Sequence, residues 1–322
     1  MSSSYILRGT AANHTLRIFA ADSTQLVSEA RRRHELTPDA TAALGRLMTG
    51  AVLFGLTLSK HEKSRISLRV EGDGPLRYMV AEGTVSEELG GGHASARGYV
   101  GNAQAELPLR TTDGKLDVGA LVGRGELAVT RLLENGEPYT SSVVLQSGEI
   151  ADDLAYYLAA SEQIPSAVLL GVYLEHGEVH TAGGLLVQVM PGADDAQVEL
   201  MERNIASLGN ITGALRNMNL LEVVQRVTEG LGLELLEESL PLSFACRCSR
   251  ERVLSTLTYF SLEERRDMMS QGGQEAVCHW CNTHYHLTPQ EIEGLNDDLD
   301  GKQDGEQDGE QTELPTSTGA RA

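Results

Sequence analysis

The sequence predicts an α+β protein: a mostly antiparallel N-terminal sheet with helices, then a helical linker, then a small C-terminal domain built on cysteines. Three observations predict it. Two strand-like runs, Ile66-Ser-Leu-Arg-Val70 and Leu76-Arg-Tyr-Met-Val-Ala81, flank Glu71-Gly-Asp-Gly-Pro75, whose glycines accept the positive φ of a hairpin turn. After Pro191-Gly192-Ala-Asp-Asp195 the apolar spacing turns from strand-like to helical. All four cysteines lie in two close pairs, Cys246/Cys248 and Cys278/Cys281.

In chain order, Thr15-Leu-Arg-Ile-Phe19, within a segment from Tyr5 to Ala20, alternates weakly and reads as a first strand. Thr37-Pro38-Asp39 supplies an N-cap, a proline at the first helical position and an acid near the positive helix end. Leu44, Leu47, Met48, Ala51, Val52 and Leu58 then follow at helical spacing, so this helix is long and largely buried. Beyond the hairpin, strands are expected near Ala94 to Val100, Glu126 to Leu133 and Ser141 to Val144. A helix is expected from Ser147, through Leu154, Tyr157 and Leu158, ending before Pro165. Ala167 to Leu174 and Ala182 to Met190 are apolar enough to be central strands. Gly90-Gly-Gly92 reads as a loop. Residues 1–191 thus form the predicted core domain.

The linker, 192–240, carries a helical pattern from Ala196 to Leu236, with Val198, Met201, Ile205, Leu208, Ile211, Leu215, Leu220, Val223, Val224 and Val227 on it. Gly209, Gly213, Gly230 and Gly232 interrupt it; each glycine inside a helix costs ~1 kcal/mol relative to alanine, so these helices depend on packing against another surface. In the terminal domain, 241–295, Ser249 is placed to cap a short helix through Leu257. Ser261-Leu-Glu-Glu264 has capping-box spacing, Gly272-Gly273 ends that helix, and Thr288-Pro-Gln-Glu291 opens a last capped turn. From Glu291 to Ala322 ten acids face two bases, eight of the chain's net −20; 296–322 is predicted to be a disordered acidic tail.

Composition narrows the function. At 322 residues and 41% apolar content the chain can fill a sizeable core. No run approaches the ~20 uncharged apolar residues of a membrane span; Ala42 to Leu58 is broken by Arg46 and three glycines. The N-terminus lacks a basic region before an apolar core, so the expected location is the cytoplasm. The charge argues against nucleic acid, since Arg31-Arg-Arg33 is the main basic cluster and reads as a solvated helix face or loop. Phosphate-loop, Gly-x-Ser-x-Gly and His-Glu-x-x-His motifs are absent from the sequence, so no enzyme class is expected.

The cysteines carry the chemistry. In a reducing compartment, clustered thiols point to a metal or redox site rather than a permanent disulfide framework. Four sulfurs from two knuckles suit one tetrahedral zinc ion, with Cys246, Cys248, Cys278 and Cys281 as ligands. His279, His284 and His286 are potential substitutes, with His279 expected to point away. Arg247, Arg250 and Arg252 are expected to offset the charge of a zinc tetrathiolate. Four thiolates close the coordination shell, unlike a catalytic zinc. The domain has few large apolar residues, so zinc binding worth ~10–16 kcal/mol supplies much of its folding energy. The knuckles also differ: Cys278 and Cys281 can sit at the ends of a β-turn, within ~7 Å. Cys246 and Cys248 stand ~6.7 Å apart in an extended chain and need distortion to close. An oxidant is therefore expected to close Cys278/Cys281 first, and Cys246/Cys248 only once the domain loosens. The competing reading is an unchanging structural zinc ribbon beside a binding or enzymatic N-terminal domain.

Along almost its full length the chain resembles heat shock protein 33, the redox-regulated bacterial chaperone family. Cys246-Arg-Cys-Ser-Arg-Glu251, the spacer that follows and Cys278-His-Trp-Cys281 carry the resemblance. Leu158-Ala-Ala-Ser-Glu-Gln-Ile-Pro165 and Ala182-Gly-Gly-Leu185 to Pro191-Gly192 add to it. It implies an ATP-independent holdase that is inactive while reduced, with one zinc per chain on the four cysteines. Oxidation is then expected to form Cys246–Cys248 and Cys278–Cys281 disulfides, release zinc and unfold the metal domain and linker. The exposed apolar surface would bind unfolding clients, in a homodimer, until ATP-dependent foldases take them. The acidic tail falls outside the resemblance.

Overall fold

A computed structural model describes residues 3–58, 64–86, 92–132, 137–236 and 239–295. The tail 296–322, Gly90 and Gly91 of the glycine loop, and Leu133 lie outside the described residues. The chain divides between Cys246 and Arg247 into two compact units.

The first unit opens with β1 (Tyr5–Ala11), β2 (Leu16–Asp22), α1 (Thr24–His34) and α2 (Pro38–Leu58). Next come β3 (Ser64–Gly72), β4 (Tyr78–Ser86), β5 (His93–Val100), α3 (Val118–Val122), β6 (Gly125–Leu132) and β7 (Tyr139–Val144). It continues through α4 (Ala151–Ala160), β8 (Ser166–Glu175), β9 (Glu178–Val189), α5 (Asp195–Leu208), α6 (Ile211–Asn217) and α7 (Leu220–Val227), and closes with β10 (Glu234–Leu235) and β11 (Leu240–Phe244). One eleven-stranded sheet organises it, in the order β7-β6-β3-β4-β5-β11-β1-β2-β9-β8, with β10 also on β1. Neighbours are antiparallel except β11 with β5.

Several expectations change in detail. The first predicted strand is two, because the Ala12-Asn-His14 turn, with positive φ throughout, folds β1 back on β2. The helix expected from Ser147 begins at Ala151; Asp153 accepts from the backbone N–H groups of Gln146 and Ser147, which forms a capping loop first. The helical pattern expected to reach Leu236 ends at Val227, and Glu234–Leu235 pairs with β1. Arg31 to Arg33 lie in the last turn of α1, where Glu29 meets both Arg32 and Arg33 at 2.7 Å. Asp39 is 2% exposed, and burial pushes its carboxyl pKa up, against the direction expected of a solvated helix-start acid.

Helices pack on both faces of the sheet, on the second over β2, β8 and β9. On one side Leu44, Leu47, Met48, Ala51 and Leu53 of α2 pack with Ile66, Leu68, Met79 and Ala81. Gly83 lets this helix approach closely, since a Cβ there would lie 2.4 Å from the Ala51 carbonyl oxygen. The stretch Pro38–Thr57 is long and apolar enough to cross a membrane, but nearly all of it is buried inside the protein. Its Arg46 pairs with Glu149 at 2.6 Å.

Alternation along β2 and β9 separates two cores: Phe19, Ala21 and Leu186 join the first, and Leu16, Ile18, Ala20, Leu185 and Val187 the second. The second core is closed by the linker helices, through Met201, Ile211, Ala214, Leu220, Val223, Val224 and Val227. Each helix carries its own cap: Asp194, Asn210 and Asn219 accept from Ala196, Gly213 and Glu222 N–H groups. Helix α6 lies over Gly171 and Gly183, which are paired across β8 and β9; a Cβ at either would stand 2.5 Å from Thr212 Cγ2 or Leu215 Cδ1.

The second unit holds α8 (Arg250–Thr256), α9 (Leu262–Ser270), β12 (Gln274–Val277) and β13 (His284–Leu287), with β12 and β13 as an antiparallel pair. The expected caps are present: Ser249 accepts from Arg252 N–H, and Ser261 with Glu264 forms the capping box. Gly272 and Gly273 both take positive φ, and Thr288 with Glu291 caps a further helical turn.

Candidate metal centre

The four thiols come together: the sulfur atoms of Cys246, Cys248, Cys278 and Cys281 all lie within 4.8 Å of one another. None is in a disulfide, and Cys248 and Cys281 are separated by 3.3 Å. Cys246 stands two residues beyond the end of β11.

Local structure explains the second knuckle. Cys281 N–H reaches the Cys278 carbonyl at 3.3 Å, closing a β-turn, and Asn282 N–H reaches it at 2.7 Å with Asn282 in left-handed backbone. Cys278 N–H in turn donates to the Thr283 carbonyl at 3.0 Å, so β12 and β13 hold both ends of the turn. The first knuckle lies in an irregular segment, 245–249, between β11 and α8.

The donor set fits a metal ion. A tetrahedron with arms of ~2.3 Å has edges of ~3.8 Å, and four sulfurs within 4.8 Å match that size. The cluster among the described residues consists of cysteines alone. His284 instead bonds Glu275 at 2.9 Å, which leaves the four-sulfur assignment as the simpler one.

Two of the three arginines make bonds of their own near the cluster. Arg250 chelates Glu291 at 2.6 and 2.8 Å, and Arg252 donates to the Arg247 carbonyl at 2.7 Å. Groups not singled out in the sequence also approach sulfur. Tyr285 Oη donates to Cys248 Sγ at 3.1 Å, Thr283 Oγ1 lies 3.2 Å from Cys281 Sγ, and Arg97 Nη1 lies 3.8 Å from Cys246 Sγ. The alternation of His284-Tyr-His-Leu287 after the last knuckle was the available signal for Tyr285, since it places that ring and Leu287 on one face.

The hydrogen bond to Cys248, with burial and the neighbouring thiolates, pushes the Tyr285 pKa up to about 12. The folded value is raised, so this contribution is whole below the free phenol's 10.0 and is lost as pH climbs through about 12. Throughout the neutral range the phenol keeps its proton and its bond. Outer partners of metal ligands typically govern 10–100-fold in affinity. Tyr285→Phe is therefore expected to weaken zinc binding by at least ~10-fold in chelator competition, with little change in the far-ultraviolet circular dichroism of the loaded protein.

Comparison with known proteins places these features in one lineage. Residues 4–288 match the model of the family described as Hsp33 protein. The chain is 53% identical over 293 residues to the 33 kDa chaperonin of Deinococcus radiodurans, covering 91% of this chain and 98% of that one. It is 50% identical over 300 residues to the 33 kDa chaperonin of Thermus thermophilus, covering 90% and 86%. Among solved structures, the 33 kDa chaperonin (heat shock protein 33 homologue) of Thermotoga maritima superposes with a TM-score of 0.83 at 38% identity, covering 94% of this chain and all of that one.

Proposed function

The chain belongs to the Hsp33 family, and from that premise we propose that it is a redox-regulated, ATP-independent holdase chaperone rather than an enzyme. The observation that carries the reading is the cluster of four thiols in a chain whose relatives are named chaperonins.

In the reduced state Cys246, Cys248, Cys278 and Cys281 hold one zinc ion, which keeps the sulfurs deprotonated and the terminal domain folded. Hydrogen peroxide takes two electrons from each knuckle. For each knuckle one peroxide is used: its O–O bond breaks, two protons are taken up, two waters leave and one S–S bond forms, first within Cys278/Cys281 and, with a second peroxide, within Cys246/Cys248. Disulfide sulfurs no longer carry the charge that binds zinc, so the metal leaves. The β-turn geometry of Cys278 and Cys281 supports the first step.

The functional parts are then a core domain 1–191, a marginal linker 192–240, a redox-switch domain 241–295 and an acidic tail 296–322. The linker's apolar residues lie on the sheet's second face, so unfolding it would expose Leu16, Ile18, Leu185 and Val187 together with its own Val223, Val224 and Val227. Unfolding cytoplasmic proteins are the partners this surface suits, held by an activated homodimer until ATP-dependent foldases accept them. Neither nucleic acid nor membrane enters the cycle.

The test compares reduced and peroxide-treated protein in suppressing the light scattering of a heat-denaturing client. Zinc release is followed with a chromophoric chelator and disulfides by mass spectrometry of alkylated peptides. The oxidised protein is expected to suppress scattering and the reduced protein not, with Cys278–Cys281 appearing before Cys246–Cys248. Equal activity in both states with zinc retained identifies an inert ribbon, and Cys246–Cys248 appearing first reverses the proposed order.

A further inference from the structure

Strand β11 joins the two halves of the large sheet. It pairs with β1 at Leu240 and Pro241 and with β5 at Leu242, Ser243 and Phe244, a short ladder for a central strand. Ala245 N–H extends it by one bond to the Ala96 carbonyl at 3.2 Å, and Cys246 follows.

Arg97 stands next on β5, opposite Glu82 on β4. Its Nη2 donates to Glu82 Oε1 at 3.0 Å and its Nη1 to Cys246 Sγ at 3.8 Å. The Arg97 and Glu82 side chains are only 13% and 7% exposed. One planar guanidinium therefore spans a buried carboxylate and a sulfur, a two-sided grip that an ammonium cannot reproduce. The two anchors differ in what oxidation does to them. Glu82 keeps its charge, whereas a cysteine that has given up an electron in forming a disulfide is a neutral, poor acceptor.

We propose that Arg97 is a positioning residue for the redox reaction at Cys246, clasping the reduced sulfur to the sheet at the end of β11 and letting go when that sulfur enters a disulfide. The proposal rests on the redox reading above and deepens it. The step it gates is oxidation of Cys246 and Cys248 by hydrogen peroxide: two thiolates and two protons yield the disulfide and two waters. Before the step, the clasp keeps Cys246 from turning toward Cys248. After it, Arg97 remains neutralised by Glu82, and the segment after Phe244 loses its side-chain hold.

The experiment uses full-length, zinc-loaded, reduced protein and its Arg97→Lys variant, which retains a charge for Glu82 but cannot span both partners. A second variant, Glu82→Gln with Arg97→Gln, removes the pair without stranding a buried charge. Hydrogen exchange over 240–245 is measured first, and both disulfides are then timed by mass spectrometry after peroxide. Each variant is expected to exchange about tenfold faster at 240–245 and to form Cys246–Cys248 about tenfold faster, the scale of one hydrogen bond to a charged group, with Cys278–Cys281 at the wild-type rate. Exchange raised equally across β4 and β5, with the ratio of the two disulfides unchanged, overturns the role of Arg97 and leaves the redox reading standing. Wild-type protein that retains thiols and zinc under peroxide overturns both.

Discussion

Removing the metal under reducing conditions is expected to abolish hydrogen-exchange protection throughout 247–295 while the strands of the large sheet keep theirs. The buried apolar residues of this unit are few: Leu257, Leu287 and Ile292 form its core, with Cys281 buried beside the sulfur cluster. Helix α8 buries no side chain, and α9 buries only Arg265, whose Nε and Nη1 have no hydrogen-bond partner among the described residues. At ~1.5–3 kcal/mol per fully buried aliphatic side chain, three such residues contribute less than ordering the chain costs. A structural zinc site contributes ~10–16 kcal/mol, as much as an entire domain's usual stability. Loss of the ion therefore exceeds anything the remaining contacts can offset. Exchange mass spectrometry before and after a strong chelator measures the result directly, and Cys281→Ser is expected to reproduce it. Protected amides persisting in β12 and β13 without metal would show that the hairpin folds by itself.

A carboxylate placed under the linker is expected to switch the protein on without oxidation. Val223 on α7 is completely buried, among residues that meet Leu16, Ile18, Leu185 and Val187. An ionised side chain cannot remain there unpaired; the cost is several kcal/mol, and undocking α7 avoids it. Val223→Asp is thus predicted to suppress client light scattering in its reduced form, to near the level of oxidised wild type, with zinc still bound. Leu221 lies two residues earlier and is 37% exposed, so Leu221→Asp is the matched control and should leave the reduced protein inactive. A reduced Val223→Asp protein that stays inactive with α7 protected would remove the linker from the mechanism.

These results depend on features that were unequally legible in the sequence. The cysteine quartet, the Ser261–Glu264 box and the Thr37-Pro38 helix start were readable because their information is local, within a few residues of chain. The apolar period of α7 and the long, almost wholly apolar run of α2 were readable for the same reason. Helix α1 was missed because it buries only Leu26, Val27 and Ala30, and its most visible residues are charged. The place of β11 could not be read at all: five residues have no period to speak of, and their partners lie in β1 and β5, far back in the chain. Arg97 is the same case at one residue, since its sulfur partner comes 149 positions later.

The glycine pair beneath α6 has a consequence for what the uncovered sheet would accept. Surfaces that choose among guests do so through relief, with pockets that fit one side chain and clash with another. Where Gly171 and Gly183 face each other the floor is bare backbone, its amides already satisfied along β8 and β9. Such a floor offers neither a shape to match nor a hydrogen bond to claim. At that spot an apolar flank would meet no side chain to match or to avoid. Under the proposed cycle, unfolding of the linker would bare this part of the sheet, and two positions without a side chain would leave it unable to choose among guests.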